Sequence, residues 1–171
     1  IWELQSDKFA GTVAVPQSVI RKGGTYRARV RMRNGTMAWS HWSPPVEFVA
    51  GEPDLAGLRA GLVFNEIMYN PLGQAGGSAG EFEFLELKNI GEPTLDLSGL
   101  FFSSGISFIF PEGSMLASGE LFLLGINRAA LQSRYPGLVV NGIFEGKLAN
   151  EGEAITLSAG IGAPVLSVAY D

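Results

Sequence analysis

The side chains able to do chemistry fall in two places along this 171-residue chain. The first is a set of oxygens. Asn65, Glu66 and Asn70 stand in NEIMYN, Glu86 stands in FLELKN, and Asn89 closes the second segment. Both segments alternate apolar and polar residues as neighbouring strands do. Such oxygens can ligate Ca²⁺, which takes roughly six to eight of them. Two carboxylates can also divide acid and base work at a glycosidic bond, or the same groups can simply bind backbone N–H groups at strand ends and turns. No D-x-D-x-D-G loop accompanies them and few polar groups converge, so structural duty is the expectation, with Ca²⁺ at Asn65, Glu66, Asn70 and Glu86 the alternative. No catalytic residue is assigned and no other cofactor is expected.

Other reactive combinations are thin. His41 is the sole histidine, so a Ser/His/Asp machine would have to use it. It lies inside WSHWS, far along the chain from the carboxylates, and reads as a surface or turn histidine. Cysteine is absent, which removes thiolate metal sites and disulfides without fixing the compartment. GGTY and GQAGGSAG lack the Lys-Ser/Thr that follows a phosphate-cradling loop.

The second place is YRARVRMRN…WSHWS. Arg27, Arg29, Arg31 and Arg33 recur every second residue and share one strand face, about 7 Å apart, while Tyr26, Ala28, Val30 and Met32 share the other. The row is either a basic strip for a phosphate-bearing partner or half of a stack completed by Trp39 and Trp42. Guanidinium is planar and weakly hydrated, so it slides between indole faces better than an ammonium. A phosphate strip needs no tryptophan and ordinarily adds lysines, yet only Lys8 and Lys22 precede residue 50. The structural stack is the favoured reading, and nucleic acid the disfavoured one.

The elements that must position these residues are short strands. The chain is 46% hydrophobic and 17% charged, with mean hydropathy +0.20, enough apolar matter for a core. Its 23 glycines and 9 prolines are scattered as turn punctuation. No apolar run approaches the roughly 20 residues of a membrane span, and the first residues lack the basic flank and core of a targeting segment. Charge divides the chain: residues 1–51 carry +4, and residues 52–171 carry −9. AGEPDLAGLRAG has no sustained period. The expected division is therefore residues 1–49, a linker over 50–60, and a second unit over 61–171. The segments GTVAVP, GGTYRARVRMRNG and WSPPVEFVAG read as strands before the linker, with RNGT a hairpin turn. After it, LVFNEIMYNP, EFEFLELKN, LDLSGLFFSS, ISFIFPEG, GELFLLG, EAITLS and PVLSVAY continue the series. Only residues 128–137 read as helical, stopped by Pro136-Gly137. Strands at this spacing imply an all-β antiparallel sandwich.

Two resemblances follow. The arginine row with WSHWS, over residues 12–49, resembles the last strands of a fibronectin type III domain, and WSHWS matches the WSxWS box of its haematopoietic cytokine-receptor branch. That likeness implies an interleaved Arg/Trp ladder. Such a domain needs about seven strands, so the likeness implies that its first strands come from upstream or from another chain. Residues 61–171 resemble the lamin tail domain in its secreted bacterial form, through NEIMYNP, EFxEL-N-G, LDLSG, F-FPxGxxLxxGE-L-L and L-N-GE-I-L. This implies an immunoglobulin-like β-sandwich, with the family's late SLE strand expected after Asp171. Together they imply a non-catalytic module of a larger secreted or cell-surface bacterial protein, binding a protein or envelope partner. A calcium- or carbohydrate-binding accessory module of an extracellular enzyme is the alternative. The Gly-rich loop 72–80, with Phe101 and Phe102, is the expected contact surface.

Overall fold

In a computed structural model of the chain, residues 2–6, 13, 15, 19–20, 23–51, 54–73, 78–160 and 162–171 are described. The expected GTVAVP strand lies mostly outside the described residues, as do Lys8, Lys22 and residues 74–77 of the Gly-rich loop.

The first unit is a ribbon. β1 (Thr25–Ala28) pairs antiparallel with β2 (Val46–Val49), setting Tyr26 against Phe48 and Arg27 against Glu47. Between them the chain turns at Asn34, whose Oδ1 accepts the amides of Thr36 (3.1 Å) and Ala38 (2.9 Å). The left-handed residue of this turn is Met37, at φ +69°, rather than Gly35.

From residue 54 the chain builds two layers. α1 (Ala56–Gly61) leads into β3 (Leu62–Met68), β4 (Phe84–Asn89) and β5 (Leu95–Asp96). β6 (Phe101–Ser104), β7 (Met115–Leu116) and β8 (Leu121–Gly125) follow, then α2 (Arg128–Arg134), β9 (Gly142–Ile143), β10 (Glu153–Ala159) and β11 (Ala163–Tyr170). One sheet runs β3-β4-β8-β9, antiparallel except for the parallel β8/β9 pair. The other runs β11-β10-β6, and β5-β7 forms a small third ladder. Leu85, Leu87 and Leu124 from the first sheet meet Phe102, Ile155, Leu157 and Val165 from the second in one continuous core. Alternation explains this: along β4 Leu85, Leu87 and Asn89 turn inward while Glu86 and Lys88 turn outward. β8 breaks the rule, with Phe122, Leu123 and Leu124 all buried, because both of its faces are covered. Leu123 packs with Phe84, Leu131 and Val140 in a second cluster beneath α2.

Three elements differ from the sequence expectation. EFEFLELKN is not one strand: Ala79–Phe82 is a 3₁₀ turn in which Glu81 Oε2 accepts the Ser78 amide at 3.1 Å, and the strand starts at Phe84. Glu83, two residues before the inward Leu85, is only 5% exposed. The stretch read as linker carries α1, whose Leu58 and preceding Leu55 enter the core. Six residues hold too few turns to show a 3.6-residue period. Finally, β3 takes a bulge after Phe64, so Asn65 has no partner position on β4. The helix expected at 128–137 is observed as α2, capped by Asn127 Oδ1 on the Ala130 amide (3.2 Å).

Candidate functional site

The arginine row and the tryptophans share one face of the ribbon. Beyond β1 the ladder continues irregularly, and the serines of WSHWS hold it. Ser43 N donates to Val30 O and Ser40 N to Met32 O, both at 2.8 Å. In return, Ser43 Oγ accepts from Val30 N (3.0 Å) and Ser40 Oγ from Met32 N (2.9 Å). Hydroxyls thus replace the carbonyls that a regular strand would offer. Arg33 and Trp39 form an isolated bridge.

That register interleaves the side chains. The Arg33 guanidinium carbon sits 5.2 Å from the Trp39 ring centre and that of Arg31 4.3 Å. Arg31 also lies 4.4 Å from Trp42, with Arg29 at 5.4 Å on that ring. The order is Arg33, Trp39, Arg31, Trp42, Arg29. Arg27 stands outside it, correcting the expectation of a four-arginine stack. Its register partner is Glu47, and the two ion-pair, with Nε 3.0 Å from Oε1. His41 is exposed.

The oxygen set is split. Glu66 and Glu86 are register partners on the outer face of the four-stranded sheet. Asn65, freed by the bulge, donates from Nδ2 to Glu86 Oε1 at 2.6 Å. Asn70 instead lines a cleft of about 630 Å³ at one end of the sandwich, with Tyr69, Glu81, Glu83, Lys147 and Asn150. Asn89 is fully buried: its Nδ2 donates to Pro93 O (2.8 Å) and Leu116 O (3.0 Å), and its Oδ1 accepts from Gly91 N (2.9 Å). It is a tie between strands and turns. Among the described residues no group of three or more His, Cys, Asp or Glu side chains is placed to share a metal ion.

Sequence reasoning missed Glu83 and Tyr170. Glu83 Oε2 accepts the buried Leu148 amide at 2.9 Å, pinning the 147–150 turn to the sheet. The Tyr170 ring packs tilted against Tyr69, centres 4.6 Å apart, and its hydroxyl donates to Glu153 Oε1 at 2.9 Å. Desolvation first, then the hydrogen bond and charge of Glu153, push its phenol well above the ordinary tyrosine range. An acidic residue flanked by Phe82 and Phe84 was the available signal for Glu83. The expected contact surface also changes: Phe102 is core at 7% exposed and Phe101 is half-buried. Arg134 lies over the Phe82 ring (3.6 Å) and donates to Leu72 O (2.6 Å), fastening one end of the Gly-rich loop to α2.

Two packed antiparallel-dominated sheets around one apolar core define an all-β, immunoglobulin-like sandwich. The family model described as Lamin Tail Domain matches residues 58–171, two thirds of the chain, and the chain belongs to that family. A comparison with curated proteins found no match. Among the described residues no helix is long and apolar enough to cross a membrane.

Proposed function

We propose that this chain is a non-catalytic binding module of a larger secreted or cell-surface bacterial protein, in which the lamin tail sandwich over 61–171 mediates adhesion or protein–protein attachment and residues 1–49 are the end of a fibronectin type III-like domain. The carrying observation is where the polar side chains are spent. Glu83 holds Leu148, Asn89 holds two carbonyls and Glu86 holds Asn65. Asn65, Glu86 and Asn89, which looked reactive in the sequence, serve as fasteners, as does Glu83. The ribbon supports the fibronectin-type assignment through its second face, where Val30, Met32 and Val46 are each about two-thirds exposed and Tyr26 stacks on Phe48. A two-stranded ribbon is marginal alone, and an apolar sheet face calls for a second layer. The test is retention of the purified chain on bacterial cell envelopes, with Glu86→Gln as the chemical control. Saturable retention unaffected by Glu86→Gln supports the module; no retention, or a glycosidase activity lost in Glu86→Gln, overturns it.

A second reading has one observation in its favour. Glu66 and Glu86 face each other across β3/β4, an arrangement of like charges that a cation relieves. A Ca²⁺ site there predicts a melting temperature that rises with millimolar Ca²⁺ in the wild-type chain and stays flat in Glu66→Gln.

A further inference from the structure

Stacking uses the faces of a guanidinium and leaves its edges. Five N–H donors lie in the plane of each group, and a plane set over an indole aims them sideways, away from the ring. Arg29, Arg31 and Arg33 are exposed. Among the described residues the single carboxylate ion-paired to this row is Glu47, and it is on Arg27. The acceptor at Arg33 Nη2 among the described residues is the Met37 sulfur, at 3.3 Å, a weak one. Three cations two residues apart along one extended segment, about 6–7 Å from one to the next, therefore repel each other with no described carboxylate neutralising them. Arg31 is held between two indoles and Arg29 and Arg33 each against one, so part of their rotamer freedom is already lost and an anion that binds them incurs less further ordering cost.

We propose that the edge of Arg29, Arg31 and Arg33 is a binding strip for a linear anionic glycan carrying sulfate or phosphate esters, its oxyanions bridging the N–H edges of successive guanidiniums. The strip serves the module whatever the sandwich binds. A glycan fits better than a nucleic acid. Single strands are gripped by stacking bases on open aromatic faces, and here each indole already has a guanidinium on both sides: Trp39 lies between Arg33 and Arg31, and Trp42 between Arg31 and Arg29. The rings of Tyr26 and Phe48 belong to the opposite face of the ribbon.

The experiment is isothermal titration of the whole chain with a heparin hexasaccharide. The comparison arms are its desulfated form, a phosphate-ester glycan and an oligothymidylate, all of matched length. Heparin or the phosphate glycan should bind, and the arm that binds more tightly names the ester. The desulfated form should not bind, and affinity should fall on the order of tenfold or more between 50 and 200 mM salt for three ion contacts. Arg29→Gln/Arg33→Gln keeps planar groups on the indoles while removing two charges, and should weaken binding at least tenfold. Glu47→Gln releases Arg27 without touching the stack and should tighten binding. The proposal fails if neither ester glycan binds at 50 mM salt, or if Glu47→Gln leaves affinity unchanged. It also fails if the double Gln variant binds as wild type does, or if the oligothymidylate binds more tightly than either glycan.

Discussion

Replacing Trp39 with alanine removes the ring that separates Arg31 from Arg33, at 4.3 and 5.2 Å. Each exposed cation–π contact contributes about 0.5–1 kcal/mol, so the two together are worth about 1–2 kcal/mol to the ribbon. That corresponds to roughly a 5- to 30-fold change in an opening equilibrium. Native-state amide exchange reads it directly, because the Ser40 and Ser43 amides are tied to Met32 O and Val30 O at 2.8 Å and exchange only when the ribbon opens. Both should speed up by that factor in Trp39→Ala. Trp42→Ala should match it, since its ring has Arg31 and Arg29 at 4.4 and 5.4 Å. The discriminating variant is Arg27→Gln. It removes a cation from the same row but only an ion pair whose side chains are 63% and 56% exposed, a kind worth about 0.2–1 kcal/mol. The effect at Ser40 should be smaller. Equal acceleration in Arg27→Gln and Trp39→Ala would refute the claim that stacking, rather than the row's charge or general packing, holds the ribbon.

Other outcomes follow from the sandwich. A methyl group at Gly125 collides with Leu131 Cδ1, so Gly125→Ala should cost about 1–3 kcal/mol in urea unfolding, and combining it with Leu131→Ala should cost less than the sum of the two. Glu83→Ala leaves the buried Leu148 amide without its acceptor, a loss of about 1–3 kcal/mol, whereas Glu83→Gln keeps an acceptor oxygen and should lose less in the same assay. Because the Tyr170 phenol is raised above its unfolded value, the folded state holds that proton where the unfolded state releases it. Its contribution is complete below about pH 10 and declines as pH rises beyond it. Urea midpoints measured from pH 8.5 to 11 should fall less steeply in Tyr170→Phe.

The sandwich was legible because its strands carry strong local signals. In β4 the two-residue alternation separates Leu85 and Leu87 from Glu86 and Lys88, and RAALQSR stopped by Pro136-Gly137 marks a short helix. What escaped reading were the places where tertiary contact overrides pattern. α1 is too short for its own period and is held by Leu55, Leu58 and a bond from Arg59 Nη2 to Pro164 O at 2.7 Å. Glu83 looked outward beside Phe82 and Phe84, yet it shares the inward phase of Leu85 and Leu87, and the 3₁₀ turn before it takes Phe82 out of the strand. In the candidate site the spacing put the four arginines on one face and favoured a stack with Trp39 and Trp42, but left open which pairs meet. Arg27 is drawn away by a residue twenty positions along the chain. Asn70 parted from Glu66 because the strand ends between them, at Met68.

The bulge at Asn65 sits on β3, the last strand of its sheet, whose outer backbone groups have no strand beside them among the described residues. A straight seven-residue border of that kind is a template for fibril growth between molecules. The kink breaks its regular repeat, and Glu66 beside it adds charge repulsion between approaching copies. Along this border, neighbouring modules are therefore hindered from zipping into filaments.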